Sequence, residues 1–116
     1  MMQFNLLNHK AEYRKYFEQL NKAWLEEYFS VEPIDKWVLE NPEQSVLEVG
    51  GKILYAEYKG EIIATVGLQK VEEGVYEMIK MTVDKKYRRM GAGKFICLSA
   101  IKKAKDLKAQ KLVLYS

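Results

Sequence analysis

One stretch, Asp84-Lys85-Lys86-Tyr87-Arg88-Arg89-Met90-Gly91-Ala92-Gly93, limits the possible folds more than any other part of the chain. It is basic and carries glycines, and two opposite periodicities flank it. Before it, Val75 to Val83 alternates as a strand, with Val75, Glu77, Ile79, Met81 and Val83 on one face by period-two counting. After it, Cys97, Ala100, Ile101, Ala104 and Leu107 form an apolar stripe at helical spacing, which predicts a helix from about 92 to 108. Lys111 to Tyr115 then reads as a strand. A strand joined through a helix to another strand is a parallel crossover, and it requires a sheet with a helix packed on its face. All-helical and all-β architectures are thereby excluded.

The remainder supplies the rest of the sheet. Lys52 to Tyr58, a Lys59-Gly60 turn and Glu61 to Val71 predict an antiparallel hairpin, and Glu72-Glu73-Gly74 turns the chain into the 75–83 strand, giving a meander. Upstream, Tyr13, Tyr16, Phe17, Leu20, Trp24 and Tyr28 recur at spacings of three and four, so residues 9 to 29 read as a helix whose aromatic stripe belongs to the core. Asn8 can cap that helix, and Ser30-Val31-Glu32-Pro33 ends it. Pro33 suits the first turn of a shorter helix through Leu39, which Asn41-Pro42 stops. At 116 residues, 48% of them apolar, the chain reads as a single domain over 1–116 of mixed α+β class.

Several function classes drop out on residue type alone. A lone Cys97 forms no intramolecular disulfide, and with His9 as the one histidine no Cys/His zinc cluster can be assembled, so no metal is expected. His9 lies in a polar Asn8-His9-Lys10 stretch and reads as a surface residue near a helix start, which leaves little room for a Ser-His-Asp or Cys-His machine, since His9 would have to be its only base. Cys97 reads as a small buried residue on its helix, and Lys102, Lys103, Lys105 and Lys108 as a solvated helix face. No segment has the pattern of a secretory signal or a membrane span, so no membrane partner and a cytoplasmic location are expected.

Charge is divided unevenly. Residues 1–77 hold 8 Lys and Arg against 14 Asp and Glu, a net −6, whereas residues 78–116 hold 11 against 2, a net +9. The basic third suits a phosphate partner, carried either on a nucleotide cofactor or on a nucleic acid. The loop chemistry decides between them. Between a strand and a helix, successive backbone N–H groups and the positive helix end converge, and Gly91 and Gly93 remove side chains that would hold a pyrophosphate away. Arg88, Arg89 and Lys94 add charge around that point. A P-loop would need glycine in place of Arg88 and Ser or Thr in place of Phe95, and a dinucleotide fingerprint read from Gly91 would need glycine in place of Ile96. A nucleic-acid interface lacks aromatic interleaving apart from Tyr87.

The stretch resembles instead the acetyl-CoA motif of the GNAT superfamily of N-acetyltransferases, Q/R-x-x-G-x-G/A, matched by Arg88, Gly91 and Gly93. In that family the motif follows a strand ending in a pattern like Glu77-Met78-Ile79-Lys80-Met81-Thr82-Val83 and opens the helix leading to the next strand. The order of elements is similar to the family's over nearly the whole chain, and Trp24 to Pro33 is a softer match. The resemblance implies a GNAT-like acyl-CoA N-acyltransferase fold, an antiparallel meander plus a parallel crossover strand. It implies acetyl-CoA as cosubstrate, its pantetheine arm pairing like an added strand with backbone around Met81, Thr82 and Val83, and its pyrophosphate on Arg88, Arg89, Met90, Gly91, Ala92, Gly93 and Lys94. The acceptor would be a primary amine of a small molecule or peptide.

Glu77 stands 14 positions before Gly91, where many members carry a glutamate acting as general base. A carboxylate on an otherwise apolar strand face would be partly desolvated, which raises its pKa and suits it to take a proton; a structural or substrate-orienting role is the other reading. A bulge is usual in this strand of the family and would break strict period-two facing. The family continues beyond the last strand with a helix and a closing hairpin whose tyrosine often serves as general acid, and no tyrosine here inherits that role. The chain is therefore expected to be truncated at the C-terminus relative to the family, with self-association through the 111–115 strand as a consequence. A noncatalytic CoA-binding or regulatory module is the alternative to an enzyme.

Overall fold

The computed structural model describes residues 3–29 and 32–114. Its elements run β1 (Asn5–Asn8), α1 (Arg14–Tyr28), α2 (Pro33–Glu40), β2 (Lys52–Tyr58), β3 (Glu61–Glu72), β4 (Val75–Val83), α3 (Ala92–Asp106) and β5 (Lys111–Leu114). The strands form one mixed sheet in the order β1-β2-β3-β4-β5, antiparallel except for the final parallel β4–β5 pair. The expected α+β class, meander and crossover are all observed.

Both sheet faces are covered, and this is why β2 and β3 read as nearly continuous apolar runs. On one face Leu54, Ala56, Val66 and Leu68 pack with Tyr76 and Met78 beneath Ile96, Ala100 and Ala104 of α3. The alanines let the helix approach the sheet closely. On the other face Ile53, Tyr55 and Ile62 meet Phe17 of α1, Leu39 of α2 and Val46. Full burial of side chains such as Phe17 and Ile96 is worth ~1.5–3 kcal/mol each.

The amino-terminal region departs from expectation. Residues 5–8 form a strand on β2, with Asn5 opposite Glu57 and Asn8 opposite Leu54. Asn8 is thus not a helix cap; a 3-10 turn over Ala11–Tyr13 precedes α1 and has Lys10 at its N-cap position, without a side-chain cap bond. His9 is not a surface residue: its side chain is 6% exposed. The ring bonds Tyr55 Oη through Nδ1 at 2.8 Å and Glu43 Oε2 through Nε2 at 2.7 Å. Asn41-Pro42 ends α2 as expected, yet the chain at once makes a π-helical turn over Glu43–Leu47, which brings Glu43 to His9. The Ser30-Val31 part of the expected stop and the Tyr115 end of the last strand lie outside the described residues.

In β4 the period-two reading fails at one point. Thr82 pairs with Thr65 and Ile79 with Gly67, so β4 has one residue more than β3 between these pairs. The bulge falls at Lys80, whose φ of +51° lies in the left-handed region. A non-glycine residue there costs ~1–2 kcal/mol. As a result Glu77 and Ile79 do not share a face with Val83: Ile79 packs toward α1 and α2, Val83 toward α3, and Met81 is exposed. The buried residues of β4 are instead Tyr76, Met78 and Thr82. Gly67 is needed opposite the bulge, because a Cβ there would stand 2.9 Å from Ile79 Cγ1.

Candidate active site

The parallel pairing of β4 with β5 runs from Val75–Lys111 to Met78–Leu114, the last described pair. Beyond the bulge, β4 continues through Val83 toward the start of α3, with no strand on that side among the described residues. A cavity of about 330 Å³ opens here, lined by Met78, Lys80 and Met81 of β4, Leu114 of β5, and Asn21, Trp24 and Leu25 of α1. The aromatic stripe of α1 is therefore divided. Tyr13, Tyr16, Phe17 and Leu20 serve the core, but Trp24 is exposed and faces the cavity. The Tyr28 side chain lies outside the described residues.

At the far end of β4 the basic loop is held by its own side chains. The Asp84 carboxylate accepts from the Lys86 N–H at 2.9 Å and caps a 3-10 turn over Lys85–Tyr87. The Tyr87 hydroxyl donates to Glu61 at 2.6 Å, and this bond holds the phenol above its ordinary pKa. Arg89 (φ +67°) and Gly91 (φ +90°, ψ 0°) both adopt left-handed backbone, and α3 begins at Ala92. The first intrahelical bond runs from Phe95 N to Gly91 O at 3.0 Å, so the N–H groups before it, on Ala92, Gly93 and Lys94, lack intrahelical acceptors. A Cβ on Gly91 would meet nothing within 4 Å, so the space before these donors is open. Gly93 is less decisive, since a Cβ there would sit 3.7 Å from Val83 Cγ2, an ordinary contact.

The structure thus brings Gly91, Ala92, Gly93 and Lys94 together as a cradle, with Arg89, Met90 and Lys94 exposed at its rim. The Ala92 side chain itself is buried. Arg88 is turned toward α1: its Nη2 lies 3.5 Å from Glu27 Oε2, and its Nε 3.5 Å from the Val83 carbonyl oxygen. Lys85 approaches the same carboxylate at 3.7 Å. Thr82 is buried, and its Oγ1 has no hydrogen-bond partner.

Glu77 lies on the opposite side of Lys80. It is half-buried in a second groove of about 340 Å³ with Gln69 of β3, Ile34, Asp35 and Val38 of α2, and Met78, Ile79 and Lys80 of β4. Met78 and Lys80 line both cavities. Lys80 Nζ is 2.6 Å from Asp35 Oδ1. The sequence reading missed Asp35, Lys80 and Trp24. Lys80 left a trace as a second charged residue, after Glu77, in an apolar strand where a bulge was anticipated, and Trp24 as a member of the aromatic stripe read as core.

The fold that carries this site has counterparts among known proteins. The model of the acetyltransferase (GNAT) family matches residues 10–116. The chain belongs to the GNAT acetyltransferase family. No curated protein matches it by sequence. Among solved structures, a GNAT-family acetyltransferase from Staphylococcus aureus Mu50 superposes with a TM-score of 0.85 at 23% identity, covering 98% of this chain and 73% of that one. A predicted acetyltransferase from Clostridium acetobutylicum, solved with acetyl-CoA, gives 0.76 at 16% identity and covers 98% and 81%. The PaiA N-acetyltransferase of Thermoplasma acidophilum, solved with coenzyme A, gives 0.74 at 19% identity and covers 99% and 80%. At these identities the structures establish the GNAT fold. Among the described residues no helix is long and apolar enough to cross a membrane.

Proposed function

We propose that this GNAT protein transfers acetyl from acetyl-CoA to a primary amine of a small molecule or peptide. The observation that carries the reading is the continuity of the end of β4, which among the described residues has no strand on its β5 side, with the open cradle before α3. A thioester-bearing strand-like arm can lie along the first while its pyrophosphate reaches the second. Acetyl-CoA supplies the activated carbonyl. The chain's part is to hold and polarise it: backbone N–H groups around Met81, Thr82 and Val83 receive the arm, and those of Gly91 to Lys94, with Arg89 and Lys94, receive the phosphates. Glu77, half-buried beside the second groove, takes a proton from the incoming amine. The complexes of structurally similar proteins with acetyl-CoA and coenzyme A support this choice of cosubstrate.

Thermal unfolding with and without acetyl-CoA tests the donor site. Ligand at ~100 times its dissociation constant should add ~2.7 kcal/mol, and Gly91→Glu, which fills the open cradle with bulk and negative charge, should remove the effect. No shift in a folded sample at millimolar acetyl-CoA would overturn the reading. Release of coenzyme A thiol across a panel of amines separates an enzyme from a noncatalytic binding module. Glu77→Gln should slow that release ~100-fold while leaving the thermal shift intact.

A further inference from the structure

Lys80 combines features that its neighbours do not share. It occupies a left-handed backbone position, as Lys59 and Lys108 do in a turn and at a helix end, but inside a strand, at the bulge. Its amine is held against Asp35, with both side chains about three-quarters buried. It is the one lysine among the residues lining the two grooves, and it belongs to both. The bulge directs it between the cavity beyond the last described β4–β5 pair and the groove that contains Glu77. The side chain therefore places a primary amine, with a carboxylate already hydrogen-bonded to it, one residue before the backbone assigned above to the acetyl donor.

We infer that Lys80 is itself an acetyl acceptor, modified by the protein's own bound acetyl-CoA. This rests on the donor reading given above. Asp35 takes one proton from the ammonium, and the freed Nζ lone pair forms a bond to the thioester carbonyl carbon. The carbon–sulfur bond then breaks, and the departing sulfur leaves as thiol with the second proton lost by nitrogen. The products are Nε-acetyl-Lys80 and coenzyme A, and Asp35 returns its proton to solvent. The modification removes the ammonium that neutralises Asp35. It thereby leaves Asp35 and Glu77 as two carboxylates lining one groove, a setting that favours a cationic acceptor.

Position, rather than intrinsic reactivity, drives this step, so the order in which lysines react should invert between two reagents. With acetic anhydride, Lys80 should be among the last lysines acetylated, because its amine is shielded and paired, whereas the exposed Lys102 and Lys105 react early. With acetyl-CoA, peptide mass spectrometry should find Lys80 acetylated first, at least about tenfold ahead of Lys102. Gly91→Glu should abolish that lead, and Lys80→Arg, which keeps the charge beside Asp35, should leave no dominant site. If acetyl-CoA raises the melting temperature but Lys80 stays unmodified, the inference fails while the donor reading stands. If neither happens, both fail. Equal Lys80 acetylation in Gly91→Glu, or early reaction with acetic anhydride, would show ordinary reagent chemistry and overturn the inference.

Discussion

Replacing His9 with alanine should cost far more than a polar residue beside a strand end would suggest. The ring ties together three parts of the chain that are distant in sequence: β1, Tyr55 in the middle of β2, and Glu43 in the π-helical turn. Tyr55 is fully buried, and burial, with the Glu43 charge second, pushes its phenol well above the ordinary value. Removing the imidazole would strand the Tyr55 hydroxyl without its partner, at ~1–3 kcal/mol. Glu43 loses less, because its side chain is 25% exposed and Arg14 Nη2 stands 2.8 Å from Oε1, though not aligned as a hydrogen bond. Together these give ~2–4 kcal/mol, or a melting temperature lower by ~10–20 °C for a domain of this size. Urea denaturation at neutral pH, followed by far-ultraviolet circular dichroism, measures it. Tyr55→Phe should show about half the loss, and the double mutant should fall short of additivity by ~1 kcal/mol. A His9→Ala loss below ~0.5 kcal/mol, the usual range for surface substitutions, would refute the reasoning.

Burial raises the Glu43 carboxyl, but the hydrogen bond to His9 and the Arg14 guanidinium beside it outweigh this and hold the group below its ordinary pKa. Its stabilising contribution is therefore complete above the unfolded value of ~4.3 and drains away as pH falls through the folded one. Denaturation midpoints between about pH 5 and 3 should accordingly fall less steeply in Glu43→Gln than in the parent. Gly67→Ala should lose ~1–3 kcal/mol in chemical denaturation, since the added methyl meets Ile79 Cγ1 at 2.9 Å and its carbonyl oxygen at 3.4 Å; an unchanged midpoint would mean that the bulge can slide. Thr82→Val discards a buried hydroxyl that has no partner and should leave stability equal or up to ~1 kcal/mol higher. A clear loss of stability would show that this hydroxyl does have a partner in solution.

The elements that the sequence disclosed were those with strong periodicity. Ile53 through Ala56 and Ile62 through Val66 are buried on both faces and could hardly be anything but interior strands, and the α3 stripe was plain from Ala100 and Ala104. The cradle was legible because glycine spacing and charge are local properties. Other features depend on tertiary contacts. β1 offers only Leu6 and Leu7 between two asparagines, and it becomes a strand because the β2 edge supplies its hydrogen bonds. His9 became an interior group because Glu43, 34 positions away, comes to meet it. The facing of Glu77 relative to Val83 turned on a single inserted residue at Lys80, and one residue of slip reverses every side chain beyond it. Asp35 joined the site only through the docking of α2 on β4.

Strand order in this sheet equals chain order, and that has a kinetic consequence. The β2–β3 and β3–β4 ladders close through turns of two residues each, Lys59-Gly60 and Glu73-Gly74, so their entropy of closure is small. The outer ladders must bring together residues far apart in sequence: Asn5 opposes Glu57, 52 positions away, and β5 returns to β4 only after α3. Residues 52–83 should therefore consolidate early, with β1 and β5 joining at the end. In native-state hydrogen exchange the amides of β3 should be the last to exchange and those of β1 and β5 among the first. The edge beside Met81 thus lies between β4, which belongs to the early-forming meander, and β5, one of the first strands to exchange, and its width is set by the part of the molecule that is most easily released.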